Sequence, residues 1–107
     1  MNDRSVRWLW TIALTCASCA APAVASASED LFQKHACAAC HAADRKNVGP
    51  ALKDIAKKYK GKANAVDALA GKIQKGSSGV WGQVPMPANP AISAQDAKAL
   101  AAWVLEQ

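Results

Sequence analysis

From residue 28 onward the apolar residues recur at intervals of three and four, interrupted by Gly and Pro, with no alternating stretch of the kind that marks a half-buried strand. Ser28, followed by Glu29 and Asp30, reads as an N-cap with acids in the first turn, opening a helix through Leu31, Phe32 and Lys34. Leu52, Ile55, Ala56 and Tyr59 form one apolar face of a short helix over residues 51–59, which Gly61 stops. Val66, Leu69, Ala70 and Ile73 repeat that spacing behind an Asn64 cap, with Gly76 as the C-terminal stop. A near capping box, Ser93-Ala94-Gln95-Asp96, opens a last helix through Ala97, Leu100, Ala101 and Val104, with Trp103 beside them. Between Gly76 and Pro90 the density of Gly and Pro predicts a wrapping loop of about 15 residues. The expected fold is all-α, with about four short helices.

Residues 1–27 read differently, as a secretory signal. Arg4 and Arg7 charge the start, Trp8 to Ala21 is largely apolar, and Val24-Ala25-Ser26-Ala27 offers a small-residue cleavage site. Cleavage is expected after Ala27, with the position after Ala25 almost as good. An uncleaved anchor is the competing reading, since the apolar run approaches the ~20 residues a spanning helix needs. The many Ala, Ser and Thr, and Pro22 ahead of the small residues, favour cleavage instead. A lipid anchor on Cys16 or Cys19 lacks a Leu-small-small pattern before it. The domain organisation is therefore a cleaved leader, 1–27, and one domain, 28–107, exported to the periplasm with no stable membrane insertion.

A domain of about 80 residues buries only about 60 to 65% of its unfolded surface, so a covalently held apolar group at its centre would supply the staple such a size usually needs. Residues 28–107 carry 11 Lys and Arg against 7 Asp and Glu, a modestly basic balance. Nucleic acid is not the implied partner, because the lysines alternate with alanines and there is no aromatic-rich groove or nucleic-acid motif. Lys53, Lys57, Lys58, Lys60 and Lys62 form either a patch that speeds encounter with an acidic surface or a solvated helix face.

The candidate chemistry sits in Cys37-Ala38-Ala39-Cys40-His41, the c-type haem attachment signature. Two thiols three positions apart can add to the two vinyl groups on one edge of a haem, and the adjoining His41 can reach the iron. A thioredoxin-like pair would want a strand, helix, strand context that is not visible here. A zinc site from Cys37, Cys40, His35 and His41 would strain the backbone, because His41 abuts Cys40. The second Cys-x-x-Cys, Cys16 to Cys19, ends in Ala20 instead of His and lies in the leader.

The group opposite His41 decides between electron transfer and ligand chemistry. Met86 is the only methionine beyond the leader, in Val84-Pro85-Met86-Pro87, where the prolines remove backbone donors and hold the chain extended. A stiff loop suits a thioether held against iron; the alternative is a gap-filling core residue. His35 lies too near Cys37 to reach the far face and is expected at the surface. With His41 and Met86 both bound, iron has no vacancy for oxygen or peroxide, which predicts an electron shuttle and no enzyme activity. The competing functions are a haem enzyme or gas sensor with a labile Met86, and a cytochrome subunit anchored to a membrane complex.

Taken together, these motifs resemble the small class I bacterial cytochromes c of the cytochrome c-551 group over nearly all of residues 28–107. The shared segments are the Cys37–His41 motif, Val48-Gly49-Pro50-Ala51, Gly76 to Gly82, Pro85-Met86-Pro87 with Asn89, and Trp103-Val104-Leu105. The resemblance implies that the Pro50 carbonyl orients His41, that Trp81 gives its indole N–H to a haem propionate and that Asn89 contacts the Met86 sulfur. Read without it, Trp81 is a core aromatic and Asn89 a turn residue. Lys72 stands where relatives often place a propionate-binding arginine, so the charge survives without the bidentate fork. Ala88 replaces a common proline, which loosens the loop. The resemblance further implies a monomeric periplasmic carrier with one covalent haem c. It would take electrons from a quinol-oxidising complex or a copper protein and pass them to a nitrite reductase or terminal oxidase.

Overall fold

A computed structural model describes residues 23–107. Four α-helices follow in chain order: α1 Ala23–Lys34, α2 Leu52–Tyr59, α3 Ala65–Lys75 and α4 Ala94–Leu105. A 3-10 turn, Cys37–Ala39, follows α1. Among the described residues no strand forms, and extended pairing is limited to one antiparallel bridge between Ser77 and Met86. The fold is all-α, as the three-and-four spacing predicts. Most of the expected leader, residues 1–27, and its second Cys-x-x-Cys lie outside the described residues.

α4 is the hub, packing against α1, α2 and α3. Its contact stripe is Ala97 and Ala101, both fully buried, with Leu100 and Val104. The two alanines let neighbouring helices approach closely, and Leu100 fills the space between them. Phe32 comes from α1, Leu52, Ile55 and Tyr59 from α2, and Ala65, Leu69 and Ala70 from α3, with Ile92 ahead of α4. Trp103 meets Phe32 at 5.2 Å between ring centroids and 49° between planes, a tilted pair worth about 0.5–1.5 kcal/mol beyond area burial.

The helix ends correct two expectations. In the full chain α1 begins at Ala23, because the small Ala-rich stretch before Ser28 is compatible with helix, so Ser28 caps nothing there; cleavage after Ala27 would remove that first stretch of the helix. Ser28 is instead a buried residue of that helix, its Oγ donating to the Ala99 carbonyl of α4 at 3.4 Å. Asn64 does hold the cap position of α3, but its side chain makes no capping bond; its carbonyl accepts from the Ala68 N–H at 2.9 Å. Ser93 behaves as expected, its Oγ accepting from the Asp96 N–H at 3.1 Å. The reverse bond of a full capping box is absent among the described residues. Gly76 ends α3 at φ +81°, a backbone conformation that side chains rarely adopt, and its N–H bonds the Lys72 carbonyl at 2.9 Å.

Candidate functional site

The chain leaves α1 through Ala36, a non-glycine residue in the left-handed region at φ 58°. That reversal starts the 3-10 turn, in which the Cys37 carbonyl accepts from both the Cys40 N–H, at 3.1 Å, and the His41 N–H, at 2.9 Å. The curl is tight enough that Cys37, Cys40 and His41 line the same cavity. Both thiols are free and half-buried. Burial is the largest influence on Cys37 and pushes its thiol up; its backbone hydrogen bond opposes that rise and neighbouring Cys40 adds to it.

His41 is oriented by the loop that follows. Its Nδ1 lies 2.8 Å from the Pro50 carbonyl oxygen. A carbonyl can only accept, so Nδ1 carries the proton and donates, leaving the Nε2 lone pair for a metal. Gly49 lies directly against the ring: a Cβ built there would stand 2.6 Å from His41 Cε1. The loop is tied beneath the motif by the Gly49 N–H to the Cys40 carbonyl at 2.8 Å and by Asn47 Nδ2 to the Ala39 carbonyl at 3.2 Å. It then caps α2, since the Ala42 and Ala43 carbonyls accept from the Leu52 and Lys53 N–H groups at 2.9 and 3.1 Å.

Met86, half-buried, enters the same cavity from the segment after α3. Two backbone bonds hold it, Ser77 N–H to the Met86 carbonyl at 3.1 Å and Met86 N–H to the Ser77 carbonyl at 2.7 Å. Gly76 makes that bridge possible, because a Cβ there would lie 2.7 Å from the Met86 carbonyl oxygen. Pro85 and Pro87 also line the cavity on either side of Met86.

The cavity measures about 760 Å³. Its walls are largely apolar, including Phe32, Leu52, Ile55, Leu69, Ile73, Leu100 and Val104, with Val48 and Val84 also in the lining. Trp81, 39% exposed, and half-buried Lys72 complete it. A broad apolar space with two thiols, an imidazole carrying a free Nε2 and a thioether fits a haem: tethers, nitrogen and sulfur donors, and an apolar cradle are all present.

Seven residues singled out from sequence therefore meet here: Cys37, Cys40, His41, Pro50, Lys72, Trp81 and Met86. Asn89 stands apart from the lining. Its Nδ2 donates to the Ile73 carbonyl at 3.2 Å and the Pro87 carbonyl at 3.4 Å, and its N–H to the Ile73 and Gln74 carbonyls, so it caps α3. No bond from this amide to the Met86 sulfur is present among the described hydrogen bonds. His35, expected at the surface, is half-buried and outside the lining. Among the described residues no three His, Cys, Asp or Glu side chains gather as a metal site, so the zinc arrangement does not form. The contacts of Gly49 and Gly76 had no local signal: nothing in the sequence relates Gly49 to the His41 ring or Gly76 to the Met86 carbonyl.

The Cytochrome c family model matches residues 25–107. Cytochrome c-552 of Nitrosomonas europaea is 56% identical over 98 residues, covering 92% of this chain and 93% of that protein. Cytochrome c-551 of Stutzerimonas stutzeri is 54% identical over 84 residues, covering 78% of this chain and 80% of that protein. The crystal structure of wild-type Nitrosomonas europaea cytochrome c552 superposes with a TM-score of 0.71 at 60% identity, covering 73% of this chain and 96% of that one.

Proposed function

Since the chain belongs to the cytochrome c family, a small electron carrier with one covalently bound haem c and not an enzyme, we propose that it carries the haem between His41 and Met86 and shuttles electrons between respiratory partners. The observation that carries this reading is the Nδ1–Pro50 hydrogen bond of 2.8 Å, which leaves Nε2 free in a cavity that Met86 also lines. The bound haem supplies one-electron chemistry at iron, and thioether ligation favours its ferrous state. Cys37 and Cys40 would hold it by two thioether tethers. Pro50 fixes the His41 ring and its tautomer, so the nitrogen donor is in place before and after electron transfer. The Ser77–Met86 bridge holds the sulfur donor, and Asn89 supports it indirectly by anchoring the segment after Pro87 to the end of α3. Trp81 and Lys72 serve the propionates, the first by its indole N–H and the second by charge. The apolar lining would keep water from the iron of a bound haem.

Residues 1–27 are a leader removed on export, and the mature carrier works in the periplasm. Its donor is a quinol-oxidising complex or a copper protein, and its acceptor a nitrite reductase or terminal oxidase. Among the described residues, 23–107, no helix is long and apolar enough to cross a membrane.

The test is Met86→Ala. Its midpoint potential should fall sharply and the reduced protein should bind carbon monoxide, while the wild type resists it. An unchanged potential would remove Met86 from the iron.

A further inference from the structure

Trp81 sits in the least tethered part of the described chain. Among the described residues, no hydrogen bond joins residues 78–85 to the rest; the last fixed point on either side is the Ser77–Met86 bridge. Gly79 at φ +79° and Gly82 at φ +109° flank the tryptophan, so the backbone there has turning freedom that side chains elsewhere would forbid. Yet the indole lines the haem cavity. Besides the propionate contact proposed above, one contact ties the ring to another element of the protein.

Lys58 of α2 places its Nζ 5.2 Å from the centre of the Trp81 ring, within cation–π range. An alternative partner was at hand: Asp54 lies one helical turn earlier, at the spacing of a helix ion pair. Among the described residues, however, the one ion pair is Lys98 with Asp67, and the Lys58 ammonium lies over the indole instead. α2 is itself anchored by buried Leu52, Ile55 and Tyr59, so Lys58 offers a loop that, among the described residues, has no hydrogen bond to the rest of the protein a contact to the rigid frame.

We propose that Lys58 is a positioning residue: its ammonium clamps the Trp81 ring against the cavity wall and brings a positive charge to the Trp81 side of the cavity, which would favour the reduced state of a bound haem. The electrostatic half rests on the haem reading above; the clamp rests on the Lys58–Trp81 contact.

The experiment uses the haem-loaded protein and three variants, Lys58→Met, Lys58→Arg and Lys57→Met. Each is checked first by its optical spectrum, then by hydrogen exchange of the Trp81 indole N–H and by midpoint potential. Lys58→Met keeps the side-chain length and removes the charge. It should speed Trp81 indole exchange by about two- to five-fold, the size an exposed cation–π contact supports, and lower the potential. Lys58→Arg should restore both, since guanidinium also stacks on aromatic faces. Lys57→Met, next along α2 and equally a loss of one charge, should leave Trp81 exchange unchanged. Unaltered exchange in Lys58→Met, or an equal rise in Lys57→Met, would overturn the clamp. A wild-type protein lacking a haem spectrum would overturn the cavity reading instead.

Discussion

α4 meets α1, α2 and α3 along one continuous stripe in which Ala97 and Ala101 are fully buried. The segment from Gly76 to Pro90 is fastened chiefly at its ends, by the Ser77–Met86 bridge and by Asn89 at the end of α3. Its apolar residues differ accordingly: Val84 is 65% exposed and Trp81 39%, against 2% for Leu100. The helices find apolar partners in one another as well as facing the cavity, which Phe32, Leu52, Ile55, Leu69 and Leu100 also line. In the segment, by contrast, Trp81, Val84 and Met86 line the cavity without joining that buried cluster, so on the proposed reading their apolar partner would be the haem. The comparison teaches that this domain has two kinds of order, one carried by chain packing and one that, on the proposed reading, a bound haem would supply.

The largest effect should come where the two meet. Leu100 lies in the α4 stripe and also lines the cavity. Leu100→Ala removes three carbons from a buried site that neighbouring helices cannot fully close, costing about 2–5 kcal/mol. Urea unfolding followed by helical circular dichroism should show the midpoint falling, and hydrogen exchange should quicken in both regions. A loss confined to the Gly76–Pro90 segment would break the comparison, because it would mean that the helices do not depend on that stripe.

Gly76→Ala strikes the segment. A Cβ at φ +81° is strained and would meet the Met86 carbonyl at 2.7 Å. That combination should cost about 1–3 kcal/mol, read as faster exchange of the Ser77 and Met86 amides with α4 protection nearly unchanged. Equal loosening of α4 would show that the segment and the helices form one cooperative unit.

The helices were legible because their signals are local. Spacing of three and four set α2 to α4, Gly76 gave the end of α3, and Ser93 the start of α4. Ser28 does not start α1 in the full chain because a serine before two acids signals a helix start only if the preceding residues are not helical, and the residues ahead of it, part of the leader, are. Asn64 misled more mildly: it holds the cap position, but the backbone there turns without its side chain. That Cys37, Cys40 and His41 face one cavity was legible because the motif fixes their spacing within one turn of chain. The entry of Met86 into the same cavity was legible through its prolines. The contacts of Gly49 with the His41 ring, Gly76 with the Met86 carbonyl and Lys58 with Trp81 were not. Each joins residues that no local pattern relates, and only the fold sets their distance.

The smallest expected effect sharpens the comparison from the helical side. Ser93 Oγ accepts from the Asp96 N–H at 3.1 Å, satisfying one of the orphan donors at the start of α4, and its loss in Ser93→Ala should cost about 1 kcal/mol. The site is exposed and distant in sequence from the cavity-lining residues at the other end of α4, so no contact with the haem is touched. Because α4 packs against all three other helices, the cost should nevertheless appear as a uniform drop in the stability of the helical frame, measurable as a shift in the urea midpoint without a change in slope. Haem attachment and midpoint potential should stay as they are. A potential that moved with this cap would mean that the frame transmits small strains to the iron, and that the two kinds of order are coupled more tightly than their contacts imply.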